Sequence, residues 1–220
     1  MRRFEEDFAG LNKALLDMGG IVAQSVHRSV LALVERNADY ACQVRRDEIA
    51  VDECDIRIDA MAASLIAREQ PVASDMRLVV AAIKISTDLE RMGDLAVSIA
   101  ARALTLMEYP ELHPSIVLTG IAALVESMVL RCLDAFVRRD SQMAHKVLAS
   151  DHGVDAMRAG IHRQVVELMR RDPDTIERAL AHLIAARSLE RIGDHARNIA
   201  EGVIYLVQGI DVRHQAVMPQ

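Results

Sequence analysis

The sequence contains no tryptophan, and only 3% of its 220 residues are aromatic. Because β-sheets are enriched in aromatic and β-branched residues, this shortage argues against a sheet-based core. Eleven methionines and abundant alanine favour helices instead. Hydrophobic residues make up 51% of the chain and charged residues 26%, which is enough to build and cover a sizeable core. The predicted fold class is therefore all-α.

Cysteine is also scarce. Cys42, Cys54 and Cys132 are widely spaced and form no C-x-x-C pair, so neither a disulfide framework nor a thiolate zinc site is indicated. The opening MRRFEEDFAG has acids where a signal peptide needs an apolar run, and no apolar stretch approaches the roughly 18 residues of a membrane span. A reducing cytoplasm is the expected location.

An excess of basic charge is lacking as well. The chain has 26 Lys and Arg against 32 Asp and Glu, which gives a formal net charge of −6. Nucleic acids and anionic membranes are bound by basic surfaces, whereas the basic residues here are interspersed with acids. Neither is expected as a direct partner.

Apolar residues recur at helical spacing in six long segments. The segment EYPELHP, with two prolines, separates the first three from the last three. The sequence LERMGD at 89–94 returns as LERIGD at 189–194, so the halves are predicted to be duplicated. The fold expected is two tandem three-helix bundles, at residues 1–109 and 115–212, with antiparallel neighbours in each. Ser115 is the predicted start of the fourth helix.

Acidic residues recur four positions apart in both halves. The motifs, on the second, third, fifth and sixth helices, are Glu48 with Asp52, Glu90 with Asp94, Asp151 with Asp155, and Glu190 with Asp194. Asp55 and Asp59 extend the face of the second helix, and at an offset of 103 residues His162 takes the position of Asp59. Carboxylates four apart share one patch of a helix, so two facing pairs concentrate four negative charges. A divalent or trivalent cation relieves that repulsion, and oxygen ligands suit magnesium, manganese or iron better than zinc. The alternative is that these acids form solvated helix faces.

Two further residue types lie within the repeated motifs. Gly93 and Gly193 precede the last aspartates and are expected to let a neighbouring helix or a ligand approach closely. Arg91 and Arg191 are expected to pair with an acid on a neighbouring helix.

The repeated motifs resemble those of the PhoU family of phosphate-transport accessory regulators. The resemblance covers essentially the whole chain and includes LERMGD, LERIGDHARNIAE, QPVASDMRLVVAAIKIS and LNKALLDMGG. It implies a cytoplasmic, PhoU-like protein that restrains phosphate uptake and phosphate-starvation signalling. The implied partners are the ATPase subunit of the phosphate ABC transporter and a sensor histidine kinase. A homodimer that reaches the membrane only through its partners is expected.

The resemblance also implies metal clusters on the E(D)-x-x-x-D motifs, with iron, manganese, magnesium or zinc as the candidate ions. Mapped onto this sequence, the predicted ligands are Glu48, Asp52, Glu90, Asp94, Asp151, Asp155, Glu190 and Asp194. Additional candidates are Asp55, Asp59, His162, His195 and Glu201. The first half has Leu95 and Ala101 where the second has His195 and Glu201, so its cluster is expected to be weaker or smaller.

Two other functional classes stay open from the residues alone. A carboxylate-bridged metal enzyme built on a helical bundle carries Glu-x-x-His pairs, but no glutamate here has a histidine three residues later. Phosphate-binding glycine loops and H-E-x-x-H motifs are absent as well, so the chain is predicted not to be an enzyme. The remaining alternative is a purely structural helical adaptor.

Overall fold

Six long helices make up the described part of the protein. The computed structural model describes residues 2–210 and residue 212, and these residues contain no strand, which confirms the all-α prediction. Met1 and Asp211, which fall within the predicted domain ranges, lie outside the described residues. The helices are α1 (Arg2–Val34), α2 (Ala38–Glu69), α3 (Ala73–Leu106), α4 (Thr119–Arg138), α5 (Ser141–Arg171) and α6 (Ile176–Gln208), and a 3₁₀ turn at Pro173–Thr175 precedes α6.

The segment between α3 and α4 is longer than predicted, because α4 begins at Thr119 and not at Ser115. Ile116 and Leu118 are buried whereas Val117 is 63% exposed. Burial that alternates with a period of two is typical of extended chain. Ile116 and Leu118 therefore hold the linker on the core before the helix starts, and the backbone of Leu118 is already helical, with φ −105° and ψ −8°.

The turns before α2 and α5 are built alike. Arg36 and Arg139 both adopt a left-handed backbone, with φ of 51° and 53°. The next residues, Asn37 and Asp140, each accept a hydrogen bond from a backbone N–H in the first turn of the following helix, which is a typical N-cap. Both pairs are related by the offset of 103 found in the acidic motifs, so the duplication extends to local backbone geometry.

The hydrophobic core runs through both halves as one cluster. Besides the contacts within each half, α1 packs against α4 and α3 packs against α6. Gly19 of α1 lies so close to α4 that an added Cβ would be 1.9 Å from Cδ1 of Leu133. The two three-helix units therefore share an interface that depends on close helix packing.

The linker after α3 is fixed by arginines from both halves. The Arg36 guanidinium donates a hydrogen bond to the carbonyl of Tyr109, and Arg178 donates to the carbonyl of Pro110 at 3.0 Å. The Tyr109 hydroxyl donates to Glu177 at 2.9 Å. These bonds seat the linker against the start of α6.

Two further features of the described residues concern the helix lengths and the cysteines. None of the helices in residues 2–210 has an apolar stretch long enough to cross a membrane. All three cysteines are free thiols, with Cys42 exposed and the other two buried.

Candidate functional site

The first acidic cluster consists of Asp52 and Asp55 on α2 and Glu90 and Asp94 on α3. These helices meet where Gly93 faces Val51, which places the four carboxylates on the same side of the contact. Burial raises the pKa of Glu90, and the charges of Asp94, Asp55 and Asp52 raise it further. The cluster therefore concentrates negative charge, as the motif spacing predicted.

Only weak compensation is available to this cluster. The Arg91 guanidinium lies 3.4 Å from Glu90 and 3.9 Å from Asp94, and its side chain is 60% exposed. The prediction that Arg91 pairs with a neighbouring helix is therefore wrong, because it reaches only acids of α3. Exposed pairs of this kind contribute about 0–1 kcal/mol. The buried Ser86 hydroxyl also donates a hydrogen bond to Asp55 at 2.7 Å, but it brings no positive charge.

The second acidic cluster consists of Asp151 and Asp155 on α5 and Glu190 and Asp194 on α6. Burial raises the pKa of Glu190, and Asp194 and Asp155 raise it further. Burial likewise raises the pKa of Asp194, with Asp151 and Asp155 acting in the same direction. The sequence thus correctly predicted which helices bring their acids together.

Two arginines neutralise the second acidic cluster. Nε of Arg158 lies 2.8 Å from Oε1 of Glu190. Arg197 lies 3.1 Å from Asp151 and 3.0 Å from Glu201, whose side chains are only 12% and 8% exposed. Removing one partner of an ion pair this well buried is costly, because it leaves a buried charge without compensation.

Sequence reasoning missed both arginines, although the repeat alignment contains the signal. At the offset of 103, Arg158 stands at the position of Asp55. At the offset of 100, Arg197 stands at the position of Val97. The second half therefore carries two cations at positions where the first half has an acid and an apolar residue.

Some of the additional candidate ligands are bound to other side chains, and others are exposed. Glu201 is held by Arg197, and Nδ1 of His195 lies 2.8 Å from Oδ1 of Asp88, which joins α6 to α3 across the two halves. Asp59 and His162 are exposed, and within residues 2–210 neither makes a hydrogen bond or ion pair with a cluster residue. Glu48 is half-buried one turn before Asp52, and it too has no such bond in the described part of the chain.

The glycines of the motifs are not required for the close approach of a neighbouring helix, which was one of their two predicted roles. A Cβ added to Gly93 would lie 3.4 Å from Val51, and one added to Gly193 would lie 3.6 Å from Val154. Both are ordinary van der Waals distances, so alanine fits at either position. The glycine that close packing requires is Gly19, at the contact between the halves.

The chemistry of the first acidic cluster fits a cation, although its geometry is not that of a formed metal site. Within the described residues, no three His, Cys, Asp or Glu side chains are close enough together to hold one ion. The four carboxylates, three of which raise the pKa of the fourth, Glu90, nevertheless supply the oxygen donors that hard cations prefer. Metal binding at the predicted ligands stays a prediction and requires the side chains to converge.

Comparison with known proteins gives a consistent result. A family model described as the PhoU domain matches residues 15–103 and 118–203. The chain belongs to the PhoU family. Its members include a relative from Pseudomonas putida called phosphate-specific transport system accessory protein PhoU homolog, which is 42% identical over 98% of this chain and 85% of its own length. The Escherichia coli K12 accessory protein PhoU is 34% identical over 96% of this chain and 88% of its own length.

Solved structures of PhoU proteins share the fold. The crystal structure of PhoU from Pseudomonas aeruginosa has a TM-score of 0.89 at 41% identity, over 94% of this chain and all of that one. PhoU from Streptococcus pneumoniae has a TM-score of 0.85 at 26% identity, over 95% of this chain and 99% of that one. The resemblance read from the sequence is confirmed. So is the prediction that the chain is not an enzyme, because PhoU proteins are accessory proteins of a transport system.

Proposed function

We propose that this chain is an accessory protein of phosphate transport that restrains phosphate uptake and phosphate-starvation signalling. The observation that carries the proposal is the match along nearly the whole chain to relatives named as accessory proteins of the phosphate-specific transport system. The protein acts by contact with the ATPase subunit of the phosphate ABC transporter and with a sensor histidine kinase. It works as a cytoplasmic homodimer that reaches the membrane through these partners.

The acidic clusters are proposed to bind metal ions, at Asp52, Asp55, Glu90 and Asp94 in the first half and at Asp151, Asp155, Glu190 and Asp194 in the second. The raised pKa of Glu90 supports this, because a bound cation favours the ionised carboxylate that the neighbouring acids disfavour. Iron, manganese, magnesium and zinc are the candidates. Elemental analysis of protein purified without chelators is expected to show more than one equivalent of metal per chain, whereas background levels and no uptake of Mn²⁺, Fe²⁺ or Zn²⁺ would leave the acids as solvated surface.

A deletion strain tests the regulatory part of the proposal. Loss of the protein should leave the phosphate-starvation genes expressed when phosphate is plentiful, as measured by transcript levels in rich medium. Repression that persists in the deletion strain would show that the chain is not the restraining regulator.

Affinity capture tests the partners. Tagged protein from solubilised cells should retain the transporter ATPase, more in high phosphate than in low phosphate. Retention of neither the ATPase nor the kinase under either condition would contradict the proposed mode of action.

A further inference from the structure

A long groove separates the first half of α3 from the last part of α6. Two adjoining cavities of about 340 and 560 Å³ form it. Both are lined by Arg77, Phe136, Val203 and Leu206. The lining follows α3 from Ser74 to Asp88, which is about 21 Å at a rise of about 1.5 Å per residue. An extended peptide of about six residues spans this distance at about 3.3 Å per residue.

The equivalent surface, between the end of α3 and the start of α6, already holds the turn and linker that follow α3. There the linker after α3 lies against the start of α6, and Arg36 and Arg178 donate hydrogen bonds to its carbonyls. Arg139, which lines the groove, is the equivalent of Arg36 and has the same left-handed backbone. The duplicated fold thus shows how this kind of surface binds a peptide backbone.

The side-chain chemistry of the groove differs from that of its equivalent. Where the first surface uses Glu177 to accept a hydrogen bond from the Tyr109 hydroxyl, the groove has Arg77. Ile184 of α6 likewise corresponds to Lys84 of α3. Both changes add positive charge. The groove also has Asp75, Asp88 and Glu201 where the equivalent surface has Thr175, Ser188 and Ala101, but Asp88 is paired with His195 and Glu201 with Arg197. The unpaired charges of the groove are therefore mainly positive, which suits an acidic segment.

The cations of the groove are available to a ligand. Within the described part of the chain, no ion pair or hydrogen bond is made by the side chains of Arg77, Lys84 or Arg139. The acids of the lining are more engaged, since Glu201 is held by an arginine and Asp88 by a histidine. Asp75 is in the first turn of α3, where the helix dipole favours a negative charge.

We propose that this groove binds an extended segment of a partner protein that combines acidic and apolar side chains. Carboxylates of the segment pair with Arg77, Lys84 and Arg139, and its apolar side chains pack on Phe136 and on the exposed Val80. The proposal rests on the proposed function, in which the chain acts by binding partner proteins, and it identifies the groove as the surface that binds one of them.

Other occupants fit the groove less well. The chain's own sequence after Val212, RHQAVMPQ, contains an arginine and a histidine and no acid, so it does not complement the cations. A flat bilayer does not enter a narrow groove between two helices, and the net charge of −6 opposes binding to an anionic surface. An acidic segment of another protein satisfies both the shape and the charge.

Selection from a random octapeptide library tests the groove with defined probes. The wild-type chain should enrich peptides that contain both acids and large apolar residues. The affinity of a selected, fluorescently labelled peptide, measured by anisotropy, should fall at least tenfold in the double variant Arg77→Glu with Arg139→Glu. The double variant Arg163→Glu with Arg170→Glu, at two exposed positions on α5 outside the groove, is the charge-matched control and should leave the affinity unchanged. No enrichment, enrichment without acids, or equal affinity for the double variant would overturn the proposal.

A photo-crosslinker at Val80 identifies the occupant in cells. A product with the transporter ATPase or the kinase, mapped to an acidic segment, is expected. Crosslinks confined to residues 213–220 of this chain, or to a second copy, would overturn the proposal. The proposal would also be overturned if the chain bound no peptide but sedimented with phosphatidylglycerol vesicles, and if the double variant Arg77→Glu with Arg139→Glu abolished that sedimentation.

The capture experiment separates this proposal from the proposed function. If the double variant retains the ATPase and the kinase as well as wild type does, the groove proposal fails and the function stands. If wild type retains neither partner, the function fails, while the peptide selection still decides whether the groove binds acidic segments.

Discussion

The two acidic clusters lie on equivalent helices of the duplicated halves, yet their crowded carboxylates are compensated differently. In the second cluster, Arg158 and Arg197 lie among the acids and pair with Glu190, Asp151 and Glu201. In the first, the sole pairing cation in the described residues is the exposed Arg91. A shared motif therefore does not fix a shared role, because the residues around it set the charge balance.

The motifs alone predicted a weaker or smaller metal cluster in the first half. The structure leads to the opposite expectation. The first half lacks the equivalents of His195 and Glu201, but in the structure both of these residues are engaged by other side chains. It also lacks the two arginines that compete with a cation for the carboxylates. We therefore expect the first acidic cluster to bind metal more tightly than the second.

The largest expected effect is on metal-dependent stability. In protein loaded with Mn²⁺ or Fe²⁺, Asp94→Asn should remove most of the metal from the first cluster and the stability that it provides, which is about 2.7 kcal/mol at a metal concentration of 100 times Kd. Asp194→Asn should cause a smaller loss. Elemental analysis and melting temperatures with and without metal measure both effects. Wild-type metal content in both variants would reject the site, and a larger loss with Asp194→Asn would reject the ranking.

The next effect concerns the arginines. Arg197→Met leaves Asp151 and Glu201 without their cation, and we expect the free energy of unfolding to fall by about 1–3 kcal/mol. The matched change in the first half, Arg91→Met, removes an exposed pair and should cost less than about 1 kcal/mol. Urea denaturation of the metal-free variants measures the difference. Equal costs would show that the arginines do not distinguish the clusters.

The next prediction concerns the glycines of the two motifs, which should respond alike to substitution although the charges around the motifs differ. Gly93→Ala and Gly193→Ala each replace a mid-helix glycine at a site with room for Cβ, and each should raise the free energy of unfolding by about 0.5–1 kcal/mol. The gain should be slightly smaller at Gly93, whose neighbour Val51 is closer. Destabilisation at either position in urea denaturation would mean that the helices cannot accept the extra methyl group.

The smallest effect is the pH dependence of Glu90. Because its pKa is raised in the folded state, folded Glu90 binds more protons than unfolded Glu90 as the pH rises past its ordinary pKa, and folding stability falls over that window. Glu90→Gln should therefore stabilise metal-free protein at pH 7 by a few tenths of a kcal/mol, and the gain should vanish below the ordinary pKa. Glu190→Gln should give a gain of the same sign, because burial raises the pKa of Glu190 as well, although Arg158 opposes the shift. Unfolding free energies across pH 4–8 measure both.

Much of this architecture could be predicted because local patterns determine it. Helical periodicity and the two prolines of the linker identify six helices and one break, and motif spacing identifies the helices whose acids meet. The start of α4 was misplaced because burial of Ile116 and Leu118 depends on packing with distant helices. The roles of Arg158 and Arg197 were missed because an ion pair depends on the side chain opposite, which a motif on one helix does not contain.

The contact between the halves carries a consequence for how such a chain could arise. Each helix that crosses it meets its own counterpart, since α1 packs on α4 and α3 on α6. Contacts between equivalent elements are the mark of an isologous interface, the kind that joins identical subunits about a two-fold axis. A single three-helix repeat would present the same surface to another copy of itself. The described fold is thus what the fusion of two genes for a symmetric ancestral dimer would produce, and once the copies were linked each acidic cluster could diverge without changing the other.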